Sequence, residues 1–360
     1  MIGTRIRVAV FVLASICISA SGLDNNNPAK PLQIAYPEYF GNRITIPEDN
    51  PTTEEGVHLG RMLFYETALS SNNQVSCATC HKQELAFTDG KVFSAGTDGS
   101  LQERNTMSLV NLLWVRNFFW DGRAGSLEAQ AAIPLANPHE MGQSLRVSAK
   151  KLQSKGNYHK LFKNAFGSDS VTGNNILKAI AKFERTLVSA NARYDLYLRG
   201  EYQPTASEFN GIKLFFTEPD PQKNIRGASC GHCHGGPKTY SELFHNNGLD
   251  SIPNDSGREK ITGQAFDRGR FRVVTLRNIA LTAPYMHDGR FTKLEQVLDH
   301  YNEHIKESGA LSIFLQDNSN TSGGKTLGLT QQEKKDIIAF LDMLTDSSFI
   351  ANKNFSNPFK

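Results

Sequence analysis

Two copies of one short motif constrain this 360-residue chain more than any other feature. Cys77-Ala-Thr-Cys80-His81 and Cys230-Gly-His-Cys233-His234 both have the pattern CxxCH. In this pattern the two thiols form thioethers to the vinyl groups of a haem, and the imidazole of the next residue lies under the iron. A disulfide or a zinc site is the alternative for a CxxC pair. Because His follows both pairs, the sequence predicts two covalently bound haem c groups, with His81 and His234 as the proximal iron ligands.

The first residues have the pattern of a secretory signal. Arg5 and Arg7 precede an apolar run over residues 8–18, and small residues follow at 19–22. This order is typical of a signal peptide, and the apolar run is too short to span a bilayer comfortably as a membrane anchor, which is the alternative. We therefore expect residues 1–21 to be removed and the mature protein to reach the periplasm. No later segment is long and apolar enough to span a membrane, and the slight net charge of +3 indicates no nucleic-acid partner.

Segments of the first half recur in the second half. The recurring pairs are Gly60-Arg-Met-Leu-Phe-Tyr-Glu66 with Gly211-Ile-Lys-Leu-Phe-Phe-Thr217, Ser108-Leu-Val-Asn-Leu112 with Thr275-Leu-Arg-Asn-Ile279, and Trp120-Asp-Gly-Arg123 with His287-Asp-Gly-Arg290. The last two pairs share one offset, since 275 − 108 and 287 − 120 both equal 167. A constant offset without gaps is the signature of an internal repeat. The sequence thus predicts two copies of one haem domain.

The predicted fold is mainly α, with two duplicated cytochrome c-like haem domains, long loops and little β. Thr205-Ala-Ser-Glu208 and Thr330-Gln-Gln-Glu333 are capping boxes that begin helices, and residues 174–188 carry apolar side chains at helical spacing. We place an N-terminal extension at 22–50, the first haem domain at 51–200, the second at 201–346 and a C-terminal tail at 347–360. The connection between the domains is predicted near residues 199–204, where Gly and Pro occur.

The chain resembles the bacterial di-haem cytochrome c peroxidase family from about residue 50 to about residue 345. The segments that carry the resemblance, besides the CxxCH motifs, are Leu69-Ser70, Phe87-Thr-Asp-Gly90, Arg104-Asn105, Phe119-Trp-Asp-Gly-Arg123, Leu127-Glu-Ala-Gln130, Pro134, Glu140-Met-Gly142 and Thr275-Leu-Arg-Asn-Ile-Ala-Leu-Thr-Ala-Pro-Tyr-Met-His-Asp-Gly289. The family also includes the di-haem oxidase that matures tryptophan tryptophylquinone in methylamine dehydrogenase.

The resemblance implies a division of labour between the haems. The N-terminal haem would bind hydrogen peroxide, and the C-terminal haem would receive electrons from a small c-type cytochrome or a cupredoxin. Trp120 corresponds to a tryptophan on the route between the haems. The family pattern also implies one calcium ion, held by the Asn105 side chain and the Thr282 and Pro284 carbonyls, and oxygen ligands suit calcium.

The repeat indicates how the two irons differ on their distal sides. Adding 14 to Trp120 gives Pro134, and adding 14 to His287 gives Tyr301. By resemblance these positions face the irons, so the proline leaves the first iron open and a tyrosine oxygen closes the second. Many peroxidases of the family have Met at the position of Tyr301, and the tyrosine favours the tyrosine-ligated oxidase subgroup. A packing role for Tyr301, and Met286 as the ligand, are the alternatives.

Two further residues are the predicted proton-transfer machinery. By resemblance Glu140 is the acid/base that moves a proton between the peroxide oxygens, and Gln130 orients the peroxide. Without the resemblance, a solvent-facing position is the alternative for both. The stretch Ser94-Ala-Gly-Thr-Asp-Gly99 lacks the loop histidine of several family members, so reductive activation by ligand release is not carried over.

Three functions are compatible with these residues. The first is a periplasmic peroxidase that draws electrons from a small redox protein. The second is a peroxide-using oxidase of a protein substrate; methylamine dehydrogenase is not inferred as that substrate, because Ala228 stands where the quinone-maturing enzyme has a surface tryptophan. The third is a di-haem electron carrier without catalysis, which would have no use for an open iron beside Glu140. The sequence leaves the oligomeric state open.

The haem content is directly testable by mass. Intact mass spectrometry of the mature chain should show two haem additions and the loss of the segment before about residue 21, because both CxxCH motifs follow a cleavable signal. A mass corresponding to one haem or to none would contradict the interpretation of the motifs.

Overall fold

The computed structural model describes residues 29–316 and 318–360, so the predicted signal peptide lies outside the described residues. Within that range the chain is mainly helical, which confirms the predicted mainly α class with little β. The helices are α1 Glu54–Phe64, α2 Cys77–Cys80, α3 Leu127–Ala136, α4 Leu145–Gln153, α5 Tyr158–Phe166, α6 Gly173–Arg185, α7 Arg193–Leu198, α8 Ala206–Phe216, α9 Glu259–Thr262, α10 Leu294–Glu303, α11 Gln331–Asp342 and α12 Ser347–Ile350. Strands β1 Phe244–His245 and β2 Phe271–Arg272 form an antiparallel pair. None of the helices in the described ranges has the length and apolarity needed to cross a bilayer.

A close helix crossing organises each half of the molecule. In the first half α1 packs on α6 at Gly60, where an added Cβ would lie 1.9 Å from the carbonyl oxygen of Ala179. In the second half α8 packs on α11 at Gly211, where an added Cβ would lie 1.9 Å from the carbonyl oxygen of Asp336. Only glycine permits backbones to approach this closely. The recurring glycines of the sequence therefore mark the same contact twice.

Other local structures recur at the offset of 167. Asn111 and Asn278 both have left-handed backbones, with φ of 59° and 63°, and both precede a 3-10 turn. Isolated antiparallel bridges pair Phe118 with Ala124 and Tyr285 with Phe291. Helices α3 and α10 begin at Leu127 and Leu294, which are again 167 apart. The sequence repeat is thus matched by a repeat of backbone structure.

Both predicted capping boxes are confirmed. The Thr205 side chain accepts from the Glu208 amide at the start of α8, and Thr330 does the same with Glu333 at α11. Helix α6 ends at Arg185, three residues before the predicted end at 188. The Val188 amide bonds to the Thr186 carbonyl at 2.7 Å rather than to the Glu184 carbonyl, so the chain leaves the helical hydrogen-bond pattern before its apolar pattern ends. The Leu187 carbonyl accepts from the Asn111 amide at 2.9 Å.

The C-terminal segment 347–360 returns to the first half. Phe349 and Phe355 are buried in the same core as Phe87 and Phe183, and the Tyr65 hydroxyl donates to the Phe355 carbonyl at 2.7 Å. The segment therefore contributes to the core of the first half, which its sequence did not indicate.

The helix crossings yield a stability prediction. Gly60→Ala and Gly211→Ala should each lower the free energy of unfolding by about 1–3 kcal/mol, because the new methyl group meets a backbone carbonyl that has no room to move. Gly309→Ala is the control, because an added Cβ there meets nothing within 4 Å. Thermal unfolding of the holoprotein measures all three variants. Wild-type stability of both crossing variants would contradict the packing described.

Candidate functional site

Each CxxCH motif forms a single tight turn. Cys77–Cys80 is one turn of helix, capped by reciprocal hydrogen bonds of Ser76 and Thr79. Cys230–His232 is a 3-10 turn, and it follows Ser229, whose φ is 54°. A single turn places residues i and i+3 on the same face, so both thiols of each motif can reach one ligand. All four motif cysteines are unpaired, which removes the disulfide alternative for the described structure.

Both motif histidines are oriented by backbone carbonyls. The Nδ1 of His81 lies 2.8 Å from the Phe87 carbonyl oxygen, and the Nδ1 of His234 lies 3.1 Å from that of Val274. Since only the protonated nitrogen donates to a carbonyl, Nε2 keeps its lone pair in both residues. This is the arrangement that holds a metal-ligating imidazole in one tautomer and one direction. For the zinc alternative, the described residues offer no cluster of three His, Cys, Asp or Glu side chains that could hold a metal ion without a haem.

A large cavity of about 670 Å³, the second-motif cavity, adjoins the second CxxCH motif. Cys230, Cys233 and His234 line it on one side. Arg272 and His245 also line it, and each has one buried side-chain nitrogen, Nε in Arg272 and Nε2 in His245, without a hydrogen-bond partner among the described residues. Such donors suit the propionates of a haem. The residues present therefore fit a covalently bound haem at this site.

Helix α3 forms part of the surroundings of the first motif. Ala131 and Leu135 of α3 lie in a buried cluster against which Cys77 packs. Gln130 and Pro134, four residues apart, share one face of α3, and both are half-buried. Pro134 lies inside the helix and offers no atom that binds iron. One face of α3 thus carries the Gln130 side-chain amide and the Pro134 ring, which cannot bind iron.

Glu140 lies on a tightly held loop after α3. Its Oε1 accepts from the Asn137 side chain at 3.1 Å, and its backbone carbonyl accepts from the Thr97 amide at 2.8 Å. The 94–99 segment packs directly on this loop, since an added Cβ at Gly96 would lie 1.8 Å from the His139 carbonyl oxygen. Burial raises the pKa of Glu140, against the opposing effects of Asn137 and Arg123. The carbonyl of the next residue, Met141, accepts from the Ser71 amide at 2.9 Å, which ties this loop to the segment that leads into the first motif.

Trp120 joins the two halves of the molecule. Its indole Nε1 donates to the Asn105 carbonyl at 2.9 Å, and its own carbonyl accepts from the Arg272 amide at 2.7 Å. The Trp120 ring meets Phe271 and His287 edge-on, with centroids 6.5 Å apart in each case. It also lines the large cavity. Trp120 thus belongs to the first half and borders the cavity of the second motif.

Helix α10 carries Tyr301 into the same cavity, where it lies with Met286. The Asn247 side-chain nitrogen is 3.2 Å from Tyr301 Oη and 3.5 Å from Met286 Sδ. Burial raises the pKa of Tyr301 to about 12, and the Asn247 hydrogen bond opposes the rise. Both candidate ligands of the second iron are therefore adjacent, and one amide contacts them both.

The three predicted calcium residues border one cavity. Asn105, Thr282 and Pro284 all line the large cavity. The Asn105 amide nitrogen donates to the carbonyls of Lys91 and Val92, at 2.8 and 3.2 Å, which leaves its side-chain oxygen available. Carbonyl and amide oxygens are calcium ligands, so the set is chemically suitable.

The sequence did not single out Asn247, Arg272 or His245. None belongs to a motif. The antiparallel pairing of β1 with β2, Phe244 with Arg272 and His245 with Phe271, brings Arg272 and His245 together, and Asn247 follows β1 by two residues. The buried unpaired nitrogens of Arg272 and His245 and the side-chain contacts of Asn247 are visible only in the structure.

Comparison with known proteins agrees with this geometry. Residues 54–203 match the family model described as di-haem cytochrome c peroxidase. A solved structure of a MauG-like protein associated with microbial copper homeostasis is 36% identical, with a TM-score of 0.82 over 91% of this chain and 100% of that chain.

Curated relatives cover most of the chain. The methylamine utilization protein MauG of Methylorubrum extorquens is 36% identical, over 84% of this chain and 81% of the relative. The cytochrome c551 peroxidase of Nitrosomonas europaea is 34% identical, over 80% of each chain. With identity at this level over four-fifths of both relatives, the chain belongs to the di-haem cytochrome c peroxidase family.

Proposed function

We propose that this protein is a periplasmic di-haem peroxidase, which reduces hydrogen peroxide with electrons that a small redox protein delivers through the C-terminal haem. The observation that carries the proposal is the difference between two repeated positions. Pro134 on α3 offers no iron ligand, whereas Tyr301 on α10 places a phenol oxygen in the second-motif cavity. One haem is then left open for peroxide and the other is closed for electron entry.

Membership in the family implies two haem c groups. We assign one to Cys77, Cys80 and His81, and the other to Cys230, Cys233 and His234, so that the two halves are copies of one haem domain. The matching glycine crossings and left-handed asparagines support this assignment. We also assign one calcium ion to Asn105, Thr282 and Pro284, where the first half meets the second.

The first haem would supply the iron at which peroxide is reduced. Glu140, as a carboxylate, takes the proton from the peroxide oxygen that is nearer to the iron. It then gives this proton to the other oxygen, which leaves as water. Its hydrogen bond from Asn137 and the backbone bond from Thr97 hold the carboxylate in place. Gln130 is on the same face of α3 as Pro134, and its side-chain amide donates a hydrogen bond that orients the peroxide.

Trp120 is the proposed relay between the two sites. It bonds to Asn105 on one side and to Arg272 on the other, and its ring lies against Phe271 and His287. An indole packed at the boundary shortens the through-protein gap between an electron-entry site and a peroxide site.

A second candidate function is oxidation of a protein substrate with peroxide. The observation in its favour is Tyr301, because a phenolate stabilises oxidised iron, whereas the Met of many family peroxidases stabilises reduced iron. The 36% identity with the MauG protein of Methylorubrum extorquens is compatible with this role. In this case electrons would leave the substrate, and a carrier would not be consumed.

Steady-state kinetics separate the two functions. Peroxide consumption should be coupled to oxidation of a reduced small c-type cytochrome or cupredoxin, offered as a panel. Turnover with at least one carrier supports the peroxidase. Peroxide reactivity without turnover by any carrier would instead favour the oxidase.

Glu140 provides the variant that tests the chemistry. Glu140→Gln should keep both haems and yet slow the reaction with peroxide by about a hundredfold or more, which is the usual contribution of a placed acid/base. Rapid mixing with peroxide measures the rate. Glu103→Gln is the matched control, because Glu103 is exposed and should react as wild type.

The pH dependence of the same reaction has a defined sign. The carboxylate form of Glu140 accepts the proton, and burial raises its pKa. The rate should therefore fall on acidification at a higher pH than an ordinary glutamic acid would give, and the Gln variant should lose this limb. An unchanged rate in Glu140→Gln would remove Glu140 from the mechanism.

A further inference from the structure

Asn247 contacts both side chains that are candidate ligands of the second iron. Its Nδ2 is 3.2 Å from Tyr301 Oη and 3.5 Å from Met286 Sδ. All three residues line the cavity of the second motif, together with His234. An amide nitrogen carries two hydrogens, so it can donate one to the oxygen and one to the sulfur.

The backbone that carries this side-chain amide is held by several contacts. His300, next to Tyr301 on α10, places its Nε2 3.0 Å from the backbone carbonyl oxygen of Asn247. The following residue, Gly248, has a φ of +70°, and an added Cβ would lie 2.6 Å from a methyl carbon of Ile305. The Gly248 carbonyl also accepts from the Lys306 amide at 2.7 Å. The helix that carries Tyr301 and the segment after it thus fix the position of Asn247.

The chemistry of the two acceptors is unequal. A phenolate oxygen accepts a strong, charge-assisted hydrogen bond, whereas a thioether sulfur is a weak acceptor. A donor placed on Tyr301 Oη therefore stabilises the anionic form that binds oxidised iron. The second hydrogen of the same amide occupies the Met286 sulfur. Met286 has a left-handed backbone with φ of 74°, but its side chain has three rotatable bonds and can move.

We propose that Asn247 is a positioning residue that selects Tyr301 over Met286 as the distal ligand of the second haem. The inference rests on the proposed haem at Cys230, Cys233 and His234. Asn247 acts through Tyr301 by stabilising its phenolate, and through Met286 by engaging its sulfur. Loss of the amide weakens the oxygen ligand and frees the sulfur.

Variants at Asn247 test the proposal by spectra and redox potential of the purified holoprotein. Asn247→Leu, which preserves volume, and Asn247→Ala should both lose the tyrosinate spectrum of the low-spin haem, gain the charge-transfer band of thioether ligation, and raise its midpoint potential. The double variant Asn247→Leu/Met286→Leu should lose the thioether band. Asn318→Leu is the matched control, because Asn318 lines the same cavity and its Oδ1 accepts from the Ser229 hydroxyl, away from both candidate ligands.

Tyr301→Phe separates failure of this inference from failure of the proposed ligation. If Tyr301→Phe alters the low-spin spectrum while both Asn247 variants keep the wild-type spectrum and potential, Asn247 does not select the ligand. If Tyr301→Phe itself leaves the spectrum untouched, the tyrosine ligation fails and the Asn247 role fails with it. A shift in Asn318→Leu as large as that in Asn247→Leu would also overturn the proposal, because the effect would then belong to the cavity as a whole.

Discussion

The hydrogen bond from each motif histidine to a backbone carbonyl is the constraint on which the proposed chemistry depends. Phe87 and Val274 supply these carbonyls to His81 and His234. Ala86 and Phe87 adopt left-handed backbones, with φ of 49° and 62°, and this turn brings the Phe87 carbonyl back to the imidazole. Because Nδ1 is hydrogen-bonded, each Nε2 points in one direction and is available to an iron. The side chains on the opposite side of that iron would then determine what each site does.

Two similar helices place different chemistry at the two sites. Helices α3 and α10 begin 167 residues apart and occupy matching places in their halves. We propose that proline in one helix and tyrosine in the other begin the difference between the sites, and that Gln130 and Glu140 complete it at the first site. At the tyrosine site Asn247 is the proposed determinant of which side chain, Tyr301 or Met286, binds the iron, because its amide contacts both. A repeated fold can thus produce one reactive site and one electron-entry site from few substitutions.

The sequence predicted the features that depend on local pattern or on repeated spacing. Both capping boxes, the mainly helical class and the family followed from residues such as Thr205, Thr330 and the two CxxCH motifs. The contacts of Asn247 and the return of Phe355 to the first core did not, because they join segments 54 and more than 170 residues apart without any motif. The end of α6 was misplaced because the apolar spacing continues to Val188, although the Val188 amide bonds to the Thr186 carbonyl and no longer follows the helical pattern.

The central claim is that one iron is open and the other is closed, and electron paramagnetic resonance of the oxidised protein tests it most directly. The account predicts one high-spin ferric signal, from the haem attached at Cys77 and Cys80, and one low-spin ferric signal, from the haem attached at Cys230 and Cys233. Both signals should be present without prior reduction. Two low-spin signals would contradict the account, because a protein ligand would then close the iron that Pro134 is proposed to leave open.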